Sequence, residues 1–155
     1  MQIYIIAVGD RMPGWVNQAC TDYLKRMPAH ARVHLHQLRP RKRGKGADIR
    51  RILQDECARI LAATPAGCRT IALERTGTQM DTERLAGLMR RWFADACDVA
   101  LWIGGPEGLS DECIRRAQER WSLSSLTIAH PIVRVLLAEQ LYRSWSIIAG
   151  RPYHR

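Results

Sequence analysis

A chain of 155 residues with a formal net charge of +9 and a pI near 10.0 is sized for one domain, residues 1–155, and has the charge balance of a protein that meets a polyanion. No apolar run reaches the roughly 18 residues of a membrane helix, and the opening "MQIYIIAVGD" has neither the basic start nor the cleavage site of a signal peptide, so a cytoplasmic protein is expected. Five cysteines with no C-x-x-C pair argue against a disulfide framework or a zinc site and for reduced core thiols.

In chain order, "QIYIIAV" is a near-continuous apolar run, the pattern of a strand buried on both faces, and a helix is expected over residues 14–26. "RVHLHQL", residues 32–38, alternates instead and predicts a strand near an edge. His34 and His36 share one face of it, but two ligands without a third make no metal site, and no metal is expected. "RPRKRGK" then puts five cations into seven residues beside a proline and a glycine. Arg outnumbers Lys 21 to 3 along the chain, which favours bidentate contacts to phosphate. The segment reads either as a mobile loop lying along a nucleic-acid backbone, with Arg41, Lys42 and Arg43 as contacts, or as a solvated surface loop.

"ADIRRILQDECARILAA" spaces Ile49, Ile52, Leu53, Cys57, Ile60 and Leu61 by three and four, and "DTERLAGLMRRWF" follows an N-cap Asp81; both predict amphipathic helices. "TIALE" and "DVALWIGG" repeat the buried-strand pattern. A helix over residues 110–120, a short strand within "SLTIAH", and a last helix from Pro131 complete the alternation. The order predicts an α/β fold, a mostly parallel sheet with helices on both faces.

"IGGPEGLS", residues 103–110, sits where a buried strand empties into a glycine-rich turn. Such a turn either cradles a ligand or merely joins strand to helix. It matches neither glycine-rich phosphate motif, Pro106 removes one N–H, and Glu107 would repel a phosphate. A ligand that is cationic or apolar at that point fits better, and a sulfonium bearing an adenosine is one.

Together "LWIGGPEGLS", "SLSSLTIAHPIVRVLLAEQLYR" and the terminal "PYHR", with "AVGDRMPGWV" and "KRGKGADIRRIL" upstream, resemble the RlmH-type family of SPOUT methyltransferases along essentially the whole chain. Members of that family methylate N3 of a pseudouridine in 23S rRNA of the large ribosomal subunit. The resemblance implies a C-terminal trefoil knot that binds S-adenosylmethionine, a homodimer paired through the knot, and an assembled ribosome as substrate. The cofactor positions it implies are Leu73, Gly104, Leu123, Ser124, Ser125, Leu126, Thr127 and Ile128.

For the reaction it implies an active-site tail. His154 is the proton acceptor by side-chain chemistry, Tyr153 stacks on the base, and Arg155 or Arg151 steadies a phosphate or the uracil oxygens. Such a tail would be held by the partner subunit and the rRNA. On the last helix, a helical projection puts Val133, Leu136, Leu137, Leu141, Ile147 and Ile148 on a core arc. Arg134, Glu139, Tyr142, Arg143 and Ser146 fall on an available arc, with Arg134 and Tyr142 as further catalytic candidates and Glu139 and Arg143 as a helix ion pair. A knotted RNA-binding protein without catalysis is the competing function.

Overall fold

The computed structural model describes residues 1–154; Arg155 and the side chain of His154 lie outside the described residues. Five parallel strands form one sheet: β1 (Ile3–Val8), β2 (Val33–Leu38), β3 (Arg69–Gln79), β4 (Val99–Ile103) and β5 (Glu119–Ser122), in the spatial order β2-β1-β4-β3-β5. The three apolar runs become the three interior strands. The alternating "VHLHQL" lies at an edge.

Strand periodicity sorts the core into two layers. Ile3, Ile5 and Ala7 of β1 and Val99, Leu101 and Ile103 of β4 point to one face; Ile6 and Val8, with Ala100 and Trp102, point to the other. Helices α1 (Gly14–Lys25), α3 (Thr82–Ala94) and α5 (His130–Ile148) lie over the first face, with Leu85, Met89, Leu137 and Leu141 in its core. Helices α2 (Ile49–Ala63) and α4 (Asp111–Arg116) cover the second with Cys57, Ile60 and Cys113. Asp48, Asp81 and Ser110 cap α2, α3 and α4 by accepting from the backbone N–H three residues on. Pro131 stands in the first turn of α5. Four of the five thiols are buried, and Cys97 is partly so.

Two expectations fail between residues 110 and 130. The helix there ends at Arg116, because Ala117 is already extended (φ −71°, ψ 140°), and "ERWS" turns into the edge strand β5. Trp121 explains the change: it is 2% exposed and stacks on Trp92 of α3 at 5.8 Å, an anchor that a surface helix would not place. The short strand expected within "SLTIAH" is absent, and residues 123–129 are irregular. Gly77 lets the far half of β3 meet β5, since a Cβ there would stand 2.7 Å from the backbone of Arg120 and Trp121.

The available face expected on α5 is also absent. The helix is wedged between α1 and α3, and Arg134, Tyr142 and Ser146 are all buried. A two-arc projection assumes one covered side, whereas α5 is covered on two.

Candidate active site

The middle of β3 (residues 73–75), the C-terminal end of β4, the turn 104–108 and the irregular stretch before α5 enclose a cavity of about 770 Å³. The sheet forces the first two walls, since Leu73 and Ile103 are register partners on adjacent strands. Gly104 then lets the turn fold back on itself. A Cβ on it would lie 2.3 Å from the carbonyl carbon of Gly108 and 2.7 Å from the N of Leu109. Gly108 itself has φ +79° and pairs with Gly105 across the turn. This crossing shows that Gly104 is required by the chain itself, whatever ligand the turn meets.

Of the eight cofactor positions expected, Leu73, Gly104, Leu123, Ser124, Leu126, Thr127 and Ile128 line the cavity and Ser125 does not. Ser124 shapes the stretch: its Oγ accepts from the N of Leu126 at 2.9 Å, and its carbonyl accepts from Ser122 Oγ at 2.8 Å. Leu126 stands 75% exposed at the rim. The charged lining residues are Glu74, Arg75 and Glu107, so carboxylates outnumber cations. Glu74 is turned toward Thr76, accepting from its N at 2.9 Å and its Oγ1 at 2.8 Å.

Sequence reasoning missed His130. It lines the cavity at the first residue of α5, and its Nδ1 is buried with no hydrogen-bond partner among the described residues. Burial pushes its pKa below the ordinary 6.5; the cations Arg134 and Arg43 act the same way, and Glu107 opposes them. The residue thus lines the cavity while its Nδ1 is buried behind the lining. Only the His-Pro pair ahead of a helix hinted at it.

Arg134 is spent on the fold. Its guanidinium is 1% exposed and donates to the carbonyl of Val8 at 2.6 Å, to that of Gly9 at 2.9 Å, and to Gln37 Oε1 at 3.1 Å. It closes the end of β1 where Gly9, at φ +117°, turns the chain.

The tail is fastened by its own helix. Residues Pro152–His154 form a 3-10 turn against α5. The Tyr153 hydroxyl donates to Glu139 Oε1 at 3.2 Å, Arg143 lies over its ring at 4.9 Å and donates to its carbonyl at 3.3 Å, and its ring meets Tyr142 edge-on at 4.7 Å. Burial, with the Tyr23 hydroxyl and Glu139, pushes the Tyr153 pKa up, so the phenol stays a donor. The ion pair expected between Glu139 and Arg143 is present at 2.6 Å, and it is part of this clasp. Within the described residues, Tyr153 is held by contacts of its own chain.

The basic loop is pinned as well. Arg41 makes a bidentate pair with Asp55, at 2.6 and 2.8 Å, and Arg43 pairs with Glu56 and Glu107. Lys42 remains exposed. Two arginines of the loop are thus paired with consecutive carboxylates on α2, a signal that "QDE" carried in the sequence. The candidates Tyr142 and Tyr153 thus meet each other at the middle of α5, while Arg134 and the cavity residues gather at its start.

A family model described as "Predicted SPOUT methyltransferase" matches residues 1–154. The chain belongs to the SPOUT methyltransferase family. It is 49% identical over 155 residues to a protein of Thioalkalivibrio sulfidiphilus named "Ribosomal RNA large subunit methyltransferase H", covering 100% of this chain and 99% of that one. A protein of the same name from Acidithiobacillus ferrooxidans is 50% identical over 100% of this chain and 98% of its own. Among solved structures, a probable methylase family protein from Haemophilus influenzae is similar with a TM-score of 0.57 at 10% identity, over 99% of this chain and 70% of that one. A probable methyltransferase from Bordetella pertussis gives 0.53 at 16%, over 92% and 95%. The two structures are similar to this chain in fold.

Proposed function

We propose that the protein transfers a methyl group from S-adenosylmethionine to N3 of a pseudouridine in 23S rRNA of the large ribosomal subunit, on the assembled ribosome, as a cytoplasmic homodimer. The cavity beside the middle of β3 and the end of β4 carries this reading. Its donor set fits the cofactor: apolar walls from Leu73, Ile103, Leu123 and Ile128 suit an adenine ring, and backbone groups of the turn suit its edge. Carboxylates where a nucleotide cradle would need cations suit a sulfonium. The family name "SPOUT" carries with it the expectation that the C-terminal segment threads as a trefoil knot.

When bound, the cofactor supplies an activated methyl group. The protein has to hold the base in line and help remove its N3 proton. His154 is the acceptor, Tyr153 stacks on the base, and Arg151 and Arg155 steady negative charge on the uracil oxygens. Lys42 contacts the rRNA backbone.

A distance supports the dimer. Tyr153 docks on Tyr142, which stands 12 residues beyond His130 along α5, or about 18 Å at 1.5 Å per residue, so one chain keeps its tail away from its own cavity. A tail that reaches the methyl donor belongs to a second copy. Leu126 at 75% and Ile132 at 48% exposure, apolar residues beside the cavity, are suited to its surface. Calorimetry with S-adenosylmethionine tests the reading: binding at one site per chain is expected, and no heat at any concentration would leave the competing, binding-only function.

A further inference from the structure

The cluster at Arg43 joins two features that the methylation reading treats apart. Arg43 belongs to the basic loop, yet its side chain turns inward and is only 19% exposed, against 58% for Arg41. Its Nη1 donates to Glu56 Oε1 and to the carbonyl of Arg41, both at 2.9 Å. Its Nη2 donates to Glu56 Oε2 at 3.1 Å, and its Nε to Glu107 Oε2 at 2.8 Å. Glu56 lies on α2 and is 3% exposed, a carboxylate that cannot go unpaired without large cost. Glu107 lies in the turn that lines the cavity.

The guanidinium also lies on the backbone of that turn, since a Cβ on Gly105 would stand 3.2 Å from Arg43 Nη2. One side chain therefore ties three segments together: the basic loop, the second helix and the cavity turn. Arg39, Lys42 and Lys45, its neighbours in the loop, are exposed. The inner side of the loop holds the cavity turn while its outer side presents cations.

We propose that Arg43 is a positioning residue that couples polyanion binding on the basic loop to cofactor binding in the cavity. Phosphates that engage the outward cations restrain the loop, and through Arg43 and Glu107 they restrain the turn before the cofactor arrives. The ordering cost is then met once for both ligands, so each tightens the other, and linkage requires the two effects to be equal. Arg43 touches neither ligand in this scheme. The proposal rests on the methyltransferase reading of the cavity.

The test is equilibrium dialysis of radiolabelled S-adenosylhomocysteine, which cannot react, against the full-length protein with and without large ribosomal subunits. Wild type is expected to bind it at least about 5-fold more tightly with subunits present. Glu107→Gln keeps Arg43 on buried Glu56, which protects the fold. It is expected to weaken binding several-fold without subunits and to bring the with-to-without ratio close to one. Arg43→Gln should do the same, and Arg43→Lys should restore part of the ratio. A purely structural Arg43 would lower the melting temperature and leave the wild-type ratio standing in Glu107→Gln, which overturns the proposal, as does a wild-type ratio of one. If wild type binds no S-adenosylhomocysteine at all, the methyltransferase reading itself fails, and the coupling with it.

Discussion

The basic loop and the C-terminal tail are both short segments rich in cations and outside the sheet, and both lend themselves to a loose, RNA-seeking interpretation. The structure fastens them in different ways. The loop is held by ion pairs: Asp55, Glu56 and Glu107 take up Arg41 and Arg43 and leave Lys42 outward. The tail is held by one aromatic ring packed on Tyr142, with Glu139 and Arg143 closing over it. The difference teaches that a run of positive charge is not a free charge until the carboxylates of the next helix are accounted for. A terminus, in turn, can be ordered by one tyrosine when few contacts would otherwise offset about 1 to 2 kcal/mol of backbone entropy per residue.

The sharpest way to separate the two segments is to remove one. Deleting residues 152–155 should leave a folded protein that binds S-adenosylmethionine but transfers methyl at least about a hundredfold more slowly, the loss expected for a positioned base, in a single-turnover assay. His154→Ala should reproduce most of that loss. Normal turnover in both would return the tail to the solvent. Glu139→Gln keeps the tail but weakens the clasp on Tyr153, and turnover should fall about tenfold with cofactor affinity unchanged; an equal loss of cofactor affinity would contradict a role confined to the tail.

Between the two segments lies the cavity turn, and there the outcome should be structural first. Gly104→Val puts a side chain into the backbone of Gly108 and Leu109, an overpacking that costs about 1 to 3 kcal/mol or more and should lower the melting temperature by several degrees. Unchanged melting with lost cofactor binding would mean that the turn yields easily.

On the loop, Lys42→Ala should reduce the salt dependence of ribosome binding by about 0.7 to 0.9 in log-log slope, the amount for one phosphate contact. Arg43→Ala should change that slope less, because its charge is already paired. The reverse order would make the inward-facing arginine the RNA ligand.

A last, smaller effect is on pH. His130 and His34 have pKa values lowered chiefly by burial, so the unfolded chain binds more protons than the folded one as pH falls below 6.5. Their contribution is present above pH 6.5 and is lost on acidification toward the lower folded values. Denaturant melts at pH 7.5 and pH 5 should show lower stability at pH 5, with a smaller difference in His130→Gln; an equal difference would remove His130 from the cause.

Much of the architecture was legible because sheet burial writes itself into the strands. "QIYIIAV", "TIALE" and "DVALWIGG" are apolar without alternation and became interior strands; "VHLHQL" alternates and became an edge. Asp81 as an N-cap and residue 110 as a helix start were read correctly, and the backbone confirms both. The stretch after Ser110 was misread because a four-residue edge strand anchored by Trp121 has too few positions to show a period. On α5 the pattern misled for another reason: a helix packed on two sides buries Arg134 through backbone carbonyls that no residue spacing reveals. The cavity residues came from a family resemblance and could not have come from periodicity, since residues 123–129 are irregular.

The most direct test is to incubate the purified protein with S-adenosylmethionine labelled in its methyl group and ribosomes lacking the modification, then digest the rRNA and analyse its nucleosides by mass spectrometry. Label is expected in a single nucleoside of the large-subunit rRNA, a pseudouridine methylated at N3. Rapid cofactor binding with no label in rRNA, or label in any other nucleoside, would contradict it.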